Sequence, residues 1–375
     1  MMRNTSKASD GALRVAVVGC QVGTRHARAF QRLGDRFQVV AVCDTHLPRA
    51  RALAEEIGGA IEIAPDYSEL LARGGLDIVS ICTPPGLHFR HILQGLDAGC
   101  HVVCEKPLVG SLRDLDAIGA AATGAGRRIL PIFQMRFGAG VQKLKRLVDL
   151  GLAGRCYLST IETAWIRGPE YYAVPWRRSW RGSLGGCLLG HAVHAHDILS
   201  HILGPVARVC AFAKTLVNPI ETEDCVSASL EMADGSLATL SVTLGSAREI
   251  SRLRFCFERL VAESNTHPYE YSGDPWTFTG NSPQIDREVT AALEQFRPGP
   301  EGYDAQFIGL HEALRCGCPC VVTLEEARAS IELASALYTS ARQSRVVELP
   351  IGPHDPVYHG WEPGSAEIPD GIPIS

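Results

Sequence analysis

Lys106 is a candidate for proton transfer because of its type and its neighbours. It lies between Glu105 and Pro107, directly after the apolar run 101–104. A lysine can accept or donate a proton when burial or a nearby charge lowers its pKa. If 101–104 is a parallel strand, its carboxyl end opens into the crevice where α/β sheets bind ligands. We therefore predict that Lys106 is catalytic; an exposed lysine before a turn proline is the alternative.

Histidines are concentrated in one short segment. His191, His194, His196 and His201 lie within eleven residues, together with Asp197. On a helix, His194, Asp197 and His201 would share one face. Such a face could hold a metal ion, but we favour a buried network in which the carboxylate fixes the tautomer of a histidine. We predict no metal and structural or surface positions for His196 and His201, whereas His194 is a candidate for either a catalytic or a structural role.

An aromatic and basic segment precedes the histidines. It contains the following residues: Trp165, Arg167, Tyr171, Tyr172, Trp176, Arg177, Arg178, Trp180 and Arg181. Aromatic faces beside polar donors suit a polyhydroxylated ring, whose C–H face stacks while its hydroxyls form hydrogen bonds. Some of the rings could instead build an inter-domain core, but four arginines cannot all be buried without partners. The predicted substrate-binding residues are Lys106, Tyr172, Trp176, Arg177, His191 and His194.

A glycine-containing turn follows the apolar run 15–18 and predicts a dinucleotide site. Gly19 fits the glycine-rich fingerprint and Gly23 offers a second small residue, whereas Gln21 departs from it. The Gln21 amide could donate to a phosphate oxygen or could weaken binding of the cofactor. Asp44, 25 residues after Gly19, would accept the ribose hydroxyls of NAD and repel a 2′-phosphate. Since no arginine follows Asp44 immediately, NAD is favoured; a strand-end turn residue is the alternative for Asp44.

The order of apolar runs indicates the elements that position these residues. Through about residue 132 short apolar runs alternate with helical patterns, which is typical of a parallel α/β sheet. After Phe137 strand-like runs dominate, with a hairpin turn at 233–235. We expect two late helices, 304–315 and 324–342, to pack on the second domain or to return to the first.

The predicted fold class is therefore α/β, with an N-terminal Rossmann dinucleotide-binding domain and a C-terminal α+β domain. The second domain is expected to contain a mostly antiparallel sheet. The predicted boundaries are a flexible N-terminus at 1–12, the NAD-binding domain at 13–136, a second, substrate-binding domain at 137–350, and a proline- and glycine-rich tail at 351–375. The tail is expected to be flexible, unless Tyr358 and Trp361 dock on a partner subunit.

Composition excludes several classes of protein. Net charge is −5 without a basic block, which argues against a nucleic-acid partner. No apolar run is long enough to span a membrane, and residues 1–11 lack the apolar core of a signal peptide. The 13 cysteines, an odd number, lie mostly in apolar runs and favour reduced thiols over a disulfide framework. We predict a cytoplasmic protein.

Taken together, ordered motifs along residues 13 to 350 resemble the Gfo/Idh/MocA family, named after glucose-fructose oxidoreductase, inositol dehydrogenase and a rhizopine-catabolism protein. The motifs are Gly19-x-x-x-Gly23-x-x-His26, Cys43-Asp44, Thr83-Pro84-Pro85 with His88, Glu105-Lys106-Pro107, Gly185-Gly186 through His194 to Asp197, and Ser340-Ala341-Arg342. The resemblance implies a dinucleotide-binding domain followed by an α/β domain with a large open sheet that often mediates oligomerisation, so residues 137–350 are expected to serve for oligomerisation as well as substrate binding.

The resemblance also implies roles for particular residues. Lys106 corresponds to a lysine at the nicotinamide and substrate, preceding a cis peptide bond, and His194 to a catalytic histidine. The family often has an aspartate four residues before that histidine, where this chain has Gly190. Either Lys106 and His194 act as a dyad, or His191 partly replaces the carboxylate. The implied cofactor-binding residues are Gly19, Gln21, Val22, Gly23, Asp44, Thr83, Pro84, Pro85, His88, Glu105 and Lys106.

The function implied is NAD-dependent hydride transfer at a hydroxyl-bearing carbon of a sugar, cyclitol or related polyol. Two alternatives remain open. One is a redox-neutral lyase or glycosidase-type enzyme that retains its cofactor; the other is a non-enzymatic NAD- or sugar-sensing regulator. A homo-oligomer, dimer or tetramer, assembled through the C-terminal sheet is expected.

Overall fold

A computed structural model describes residues 11–363, and these divide into two compact units. The first unit extends to Glu105 and also includes Ile118–Ile132 and Tyr303–Leu324. The second contains Lys106–Ala117, Phe133–Gly302 and the chain from Glu325 onward. Each unit is therefore built from segments that are distant in sequence. Residues 1–10 of the predicted N-terminal segment lie outside the described residues.

The first unit contains a six-stranded sheet in the order β3-β2-β1-β4-β5-β6, and every neighbouring pair is parallel. Its strands are β1 (Leu13–Val18), β2 (Phe37–Cys43), β3 (Glu62–Ala64), β4 (Ile78–Ile81), β5 (His101–Cys104) and β6 (Ile129–Pro131). Val18 is in register with Cys43 on one side and Ile81 on the other. The carboxyl ends of three strands therefore meet at one edge, as in a Rossmann fold.

The second unit contains an eight-stranded sheet in the order β13-β12-β11-β7-β10-β9-β8-β14. Its strands are β7 (Cys156–Ile166), β8 (Val206–Lys214), β9 (Cys225–Met232), β10 (Leu237–Thr243), β11 (Gly245–Phe257), β12 (Leu260–Glu263), β13 (Thr277–Gly280) and β14 (Val347–Glu348). Only β7 and β10 pair in parallel. The predicted fold class, a Rossmann domain plus a mostly antiparallel open sheet, is confirmed.

Twelve α-helices occur among the described residues. They are α1 (Gly23–Arg32), α2 (Leu47–Ile57), α3 (Tyr67–Arg73), α4 (His88–Asp97), α5 (Leu112–Ala125), α6 (Ala139–Asp149), α7 (Pro169–Tyr172), α8 (Trp180–Ser183), α9 (Val193–Leu203), α10 (Pro283–Glu294), α11 (Gly302–Cys316) and α12 (Leu324–Gln343). Both alternatives for the late helices are realised, because nearly all of α11 belongs to the first unit and nearly all of α12 to the second. None of the described helices is long and apolar enough to cross a membrane.

The start of the C-terminal tail is packed, contrary to the expectation of a flexible segment. The Trp361 side chain is 2% exposed, stacks on Tyr338 and donates from Nε1 to the Leu184 carbonyl at 2.6 Å. Tyr358 donates its hydroxyl to Asp116 at 2.5 Å. Both aromatic residues thus pack within their own chain, where Tyr338, Leu184 and Asp116 supply partners. Residues 364–375 lie outside the described part.

Candidate functional site

The turn after β1 is shaped by two glycines. Gly19 has a φ of 90°, and a Cβ added there would lie 2.5 Å from the carbonyl oxygen of Cys82. A Cβ at Gly23 would meet the Val17 side chain at 2.7 Å. The turn is therefore tight, and α1 begins close against the sheet, as a cradle for a pyrophosphate requires. Gln21 and Val22 are exposed, so the Gln21 side chain does not fill the turn.

Asp44 closes the same turn at the end of β2. Its carboxylate accepts from the backbone N–H of Cys20 at 2.9 Å and of His46 at 2.8 Å. Arg49 also reaches it, with Nη1 3.1 Å from Oδ2. The sequence showed that no arginine follows Asp44 immediately. In the structure, however, the first turn of α2 brings Arg49 back to the Asp44 carboxylate. Two of the four contacts on the Asp44 carboxylate come from the Arg49 side chain, which is 43% exposed, so ribose hydroxyls could replace them and the residues present fit an NAD molecule.

The Thr83-Pro84-Pro85 loop lies at the end of β4 and is partly exposed. His88 is buried and donates from Nε2 to the Thr83 carbonyl at 2.9 Å. The side chain of Thr83 in turn contacts His91 Nδ1 at 3.2 Å. His88 therefore holds the shape of the loop from behind, whereas the loop residues themselves are accessible to a ligand.

Glu105 is part of an internal network in the first unit. Its Oε1 accepts from the Tyr303 hydroxyl at 2.9 Å and lies 3.1 Å from His26 Nε2. His26 Nδ1 contacts the Ser80 hydroxyl at 2.8 Å. Burial raises the pKa of Tyr303 well above its ordinary value, so the phenol is neutral and donates. Glu105 thus anchors the strand end that precedes Lys106, and Tyr303 is a partner that the sequence reasoning missed.

Lys106 begins the second unit and is half-buried. Its peptide bond to Pro107 is cis, as the resemblance implies. The ammonium donates from Nζ to the Gly190 carbonyl at 2.8 Å. A Cβ added at Gly190 would meet no atom within 4 Å. The Gly190 backbone carbonyl is thus one partner of the ammonium, and space remains at Gly190 for a side chain.

The segment that carries Gly190 and the histidines is anchored at its start. Leu188–Ala192 forms a π-helical turn that leads directly into α9. The Glu223 carboxylate accepts from the N–H groups of Gly186 at 3.1 Å and Leu188 at 3.0 Å, which satisfies donors of the first turn. Tyr338 donates its hydroxyl to the same carboxylate at 2.9 Å. Burial raises the pKa of Glu223 to about 7.

His191 is held in one tautomer by Arg167. Arg167 Nε lies 3.2 Å from His191 Nε2, and since arginine has no acceptor, Nε2 must accept and Nδ1 must carry the ring proton. Arg167 is itself held by Glu249 at 2.9 Å and by the Tyr269 hydroxyl at 2.5 Å. Burial first, then the charges of nearby cations, holds the pKa of His191 well below its ordinary value. The ring is therefore neutral at physiological pH.

Aromatic rings surround His191. Trp165 packs edge-on at 5.4 Å between ring centroids, and Tyr171 lies at 5.6 Å. The Arg177 guanidinium lies over the Tyr171 ring at 4.3 Å and 5.4 Å from that of Trp176. Tyr172, predicted to bind substrate, is buried and packs against Tyr171. Three residues of the aromatic and basic segment, Trp165, Arg167 and Tyr171, therefore contact His191. None of these three was among the predicted substrate-binding residues.

Asp197 does not orient a histidine as predicted. It is buried with Arg136, which donates from Nε to Oδ2 at 2.9 Å and from Nη2 to Oδ1 at 2.5 Å. Asp197 pairs with Arg136 rather than with a histidine because a planar guanidinium can form two parallel hydrogen bonds with a carboxylate. His194 is also buried, with its ring edge-on to Phe133 at 6.4 Å. His196 is buried too, and burial lowers its pKa to about 3.

His201 is half-buried, and burial, followed by the charge of Arg136, lowers its pKa to about 4. Within the described part of the chain, no group of three or more histidine, cysteine or acidic residues is arranged to hold a metal ion.

Comparison with known proteins shows that two models of one family match consecutive parts of the chain. Residues 13–133 match "Oxidoreductase family, NAD-binding Rossmann fold", and residues 141–260 match "GFO/IDH/MocA C-terminal domain". The first match contains the Gly19 turn, and the second contains His191 and His194.

Relatives and solved structures agree with this match. The D-glucoside 3-dehydrogenase of Escherichia coli is 32% identical over 53% of this chain and 56% of its own length. The myo-inositol 2-dehydrogenase of Thermotoga maritima is 29% identical over 55% and 60%, respectively. These curated relatives are thus matched over little more than half their length. The structure of the WlbA dehydrogenase from Bordetella pertussis, in complex with NADH and UDP-GlcNAcA, is 28% identical with a TM-score of 0.81, covering 92% of this chain and 100% of that one.

Proposed function

Because the chain belongs to the Gfo/Idh/MocA family of oxidoreductases, we propose that it is an NAD-dependent dehydrogenase that acts on a hydroxyl-bearing carbon of a sugar, cyclitol or related polyol. The observation that carries the proposal is the contact between Lys106 Nζ and the Gly190 carbonyl, four residues before His194. This contact places a lysine beside the helix that bears the candidate catalytic histidine, and both residues belong to the second unit. The relatives named above, which include glucoside and inositol dehydrogenases, support this substrate class.

Residues of the first unit would hold the cofactor. Gly19 and Gly23 leave room for the pyrophosphate at the start of α1, and Asp44 accepts the ribose hydroxyls. A bound NAD would supply the hydride acceptor for oxidation of the carbinol carbon. Thr83, Pro84 and Pro85 would line the nicotinamide ribose.

Residues of the second unit would handle the substrate and its proton. One of Lys106 and His194 takes the hydroxyl proton, and the other polarises the oxygen. The Gly190 carbonyl orients the Lys106 side chain without adding a charge. His191 presents a neutral Nδ1–H donor, which Arg167 fixes in direction, and the rings of Trp165, Tyr171 and Trp176 offer apolar faces to a sugar ring.

Lys106→Met tests the proposal. We expect turnover to fall by roughly 10²- to 10⁴-fold, since a positioned acid–base group is lost, while NAD affinity changes little. NADH absorbance with a panel of sugars and inositols measures turnover, and calorimetric titration measures NAD binding. Lys145→Met is the matched control, because Lys145 is a surface residue paired with Asp149 on the same helix.

Unchanged turnover in Lys106→Met would remove this lysine from the mechanism. NAD retained through purification, with bond cleavage but no net NADH, would favour the redox-neutral alternative. Binding of NAD and sugars with neither reaction would favour a sensing role.

The open sheet of the second unit supports a homo-oligomer. The exposed face bears Leu158 and Leu237, which pair directly, and Phe212, which is 66% exposed. Large apolar side chains on one sheet face are typical of an interface. We expect a dimer or tetramer by light scattering, and a monomer at micromolar concentration would contradict this. A cytoplasmic location remains part of the proposal.

A further inference from the structure

Leu184 has a backbone conformation that its residue type disfavours. Its φ is 61° and its ψ is 2°, which is the left-handed region. Among the described residues, Leu184 and Ser344 are the non-glycine residues with a positive φ. A leucine stays in this region only where its surroundings hold it, because its Cβ then lies too close to a carbonyl oxygen. Leu184 directly precedes residues 185–194, the histidine segment, in which Gly190 and His191 lie.

Three contacts hold Leu184 in place. Trp361, whose side chain is buried, donates from Nε1 to the Leu184 carbonyl at 2.6 Å. The Leu184 N–H donates to the Trp180 carbonyl at 2.8 Å. The Leu184 side chain lies against Gly110, where an added Cβ would be 3.1 Å from Cδ2. Since Gly110 follows Lys106 by four residues, Leu184 joins the C-terminal segment to the loop after Lys106 and to the histidine segment.

Trp361 also supports the histidine segment through Tyr338. The two rings stack with their centroids 5.9 Å apart. Tyr338 donates its hydroxyl to Glu223 at 2.9 Å, and the Glu223 carboxylate accepts in turn from the N–H groups of Gly186 and Leu188. The C-terminal segment therefore acts on the start of the histidine segment twice, through the carbonyl that precedes it and through two of its N–H groups.

The far end of these contacts lies at the candidate site. The Gly190 N–H donates to the Gly186 carbonyl at 2.9 Å, and the Gly190 carbonyl accepts from Lys106 Nζ at 2.8 Å. His191 is the next residue along the chain. A change of backbone direction at Leu184 would therefore displace an acceptor of Lys106 and the ring of His191 together. Displacing reacting groups by about 1 Å can slow an enzyme by roughly 100-fold.

We propose that Trp361 is a positioning residue for the candidate active site. Its hydrogen bond to the Leu184 carbonyl holds Leu184 in the left-handed conformation and thereby fixes the direction in which the histidine segment leaves. This inference rests on the proposed function and deepens it, because it gives the C-terminal segment a part in arranging the groups that handle the substrate. Trp361 acts through Leu184 and Tyr338 rather than by contact with the substrate.

Trp361→Phe tests the inference, because phenylalanine still stacks on Tyr338 but cannot donate to the Leu184 carbonyl. Hydrogen–deuterium exchange of the NAD-loaded protein, read by mass spectrometry, measures local opening and does not depend on turnover. We expect amide exchange in residues 184–192 to become roughly five- to tenfold faster, as the loss of one buried hydrogen bond predicts. Exchange in the sheet of the first unit and the affinity for NAD should stay nearly unchanged.

Tyr358→Phe is the matched control. It also removes one aromatic donor of the C-terminal segment, but that hydrogen bond ends on Asp116 in α5. Exchange in residues 184–192 should therefore remain as in the wild type. If Trp361→Phe fails to fold, Tyr338→Phe provides the comparison with the same expected result, because it keeps the ring but removes the donor to Glu223.

Turnover separates positioning from general support of the fold. With the panel of sugars and inositols and saturating NAD, kcat of Trp361→Phe should fall by roughly 10- to 100-fold, while KM for NAD stays the same. A residue that only stabilised the fold would lower the melting temperature and the amount of active protein, but not kcat per folded molecule. Tyr358→Phe should keep the kcat of the wild type.

Unchanged exchange in residues 184–192, or equal acceleration in Trp361→Phe and Tyr358→Phe, would overturn the inference whatever the protein catalyses. So would a kcat that falls no further in Trp361→Phe than in Tyr358→Phe, when the wild type oxidises a sugar. Local acceleration in Trp361→Phe, with no sugar oxidised by the wild type, would keep Trp361 as the residue that positions the histidine segment and reject the dehydrogenase.

Discussion

The dinucleotide turn of the first unit and the histidine segment of the second are built in different ways. In the turn, Gly19 and Gly23 lie four residues apart, and backbone atoms form most of the candidate binding surface, which the Asp44 side chain closes. Around His191, the contacts come from β7, from the Tyr171 segment and from Tyr269, and side chains form the surface. A site made of backbone is therefore sensitive to added volume, whereas a site made of side chains is sensitive to charge and hydrogen bonding.

Gly19 and Gly190 illustrate the difference between the two sites. At Gly19 the φ is positive and a Cβ would collide with the Cys82 carbonyl, whereas at Gly190 a Cβ would meet open space. The first glycine is required by the backbone. The second marks a position where a side chain is absent although it would fit.

The largest effect is expected from Gly19→Ala. The methyl group would force the turn away from β4, so NAD affinity should fall by at least about 100-fold, or the first unit should fail to fold. Gly190→Ala, the matched substitution, should leave NAD affinity and melting temperature nearly unchanged. Calorimetric titration with NAD and thermal unfolding measure both variants.

Equal losses of NAD affinity in the two alanine variants would contradict the contrast between the sites. A Gly19→Ala protein that binds NAD normally would show that the turn relaxes without cost, and the steric account of the first unit would be wrong.

A smaller effect is expected from Glu223→Gln, which tests the anchoring of the histidine segment. Burial raises the pKa of Glu223 from an ordinary 4.5 to about 7. Between these values the folded state binds a proton that the unfolded state releases, so this carboxyl contributes stability at pH 4.5 that is lost as the pH rises to about 7. Glutamine keeps an acceptor oxygen for Leu188 and does not titrate. Between pH 4.5 and 7 the free energy of unfolding of the wild type should therefore fall relative to that of the variant by on the order of 3 kcal/mol. The variant is favoured at the higher pH.

Denaturant unfolding at several pH values measures that difference. Glu231→Gln, at a surface position paired with Arg208, should show no such trend. A pH-independent difference for Glu223→Gln would mean that the buried carboxyl does not titrate in this range.

Much of the fold could be predicted from sequence because the signals are local. Alternating apolar runs and helical patterns gave the strands and helices of the first unit, and the hairpin at 233–235 was predicted from its turn residues. Short elements such as β3 and α3 were not predicted, since three to seven residues carry little periodicity. The packing of Tyr358 and Trp361 was also missed, because a segment rich in glycine and proline gives no local sign of a distant partner.

In the candidate site, too, features with local sequence signals were predicted and those that depend on distant contacts were not. The glycines of the turn, Asp44 and Lys106 were identified from residue type and from their places at strand ends. The partner of Asp197 was predicted wrongly, because Arg136 competes for it from a segment 61 residues away. Arg167 was recognised only as part of a basic segment; its hydrogen bond to His191, and hence the tautomer of that ring, depends on a contact between two elements.

By itself, the sequence determined the two-part architecture, the family, the position of the dinucleotide turn and the lysine and histidines available for chemistry. These features follow from periodicity, from glycine's conformational freedom and from residue type, which act over short stretches of chain. The tertiary structure alone decided which carboxylates are occupied, which histidine nitrogen carries a proton and which backbone carbonyl the Lys106 ammonium contacts. Those properties depend on burial and on distances between residues far apart in sequence, since electrostatic interactions and desolvation are set by three-dimensional surroundings.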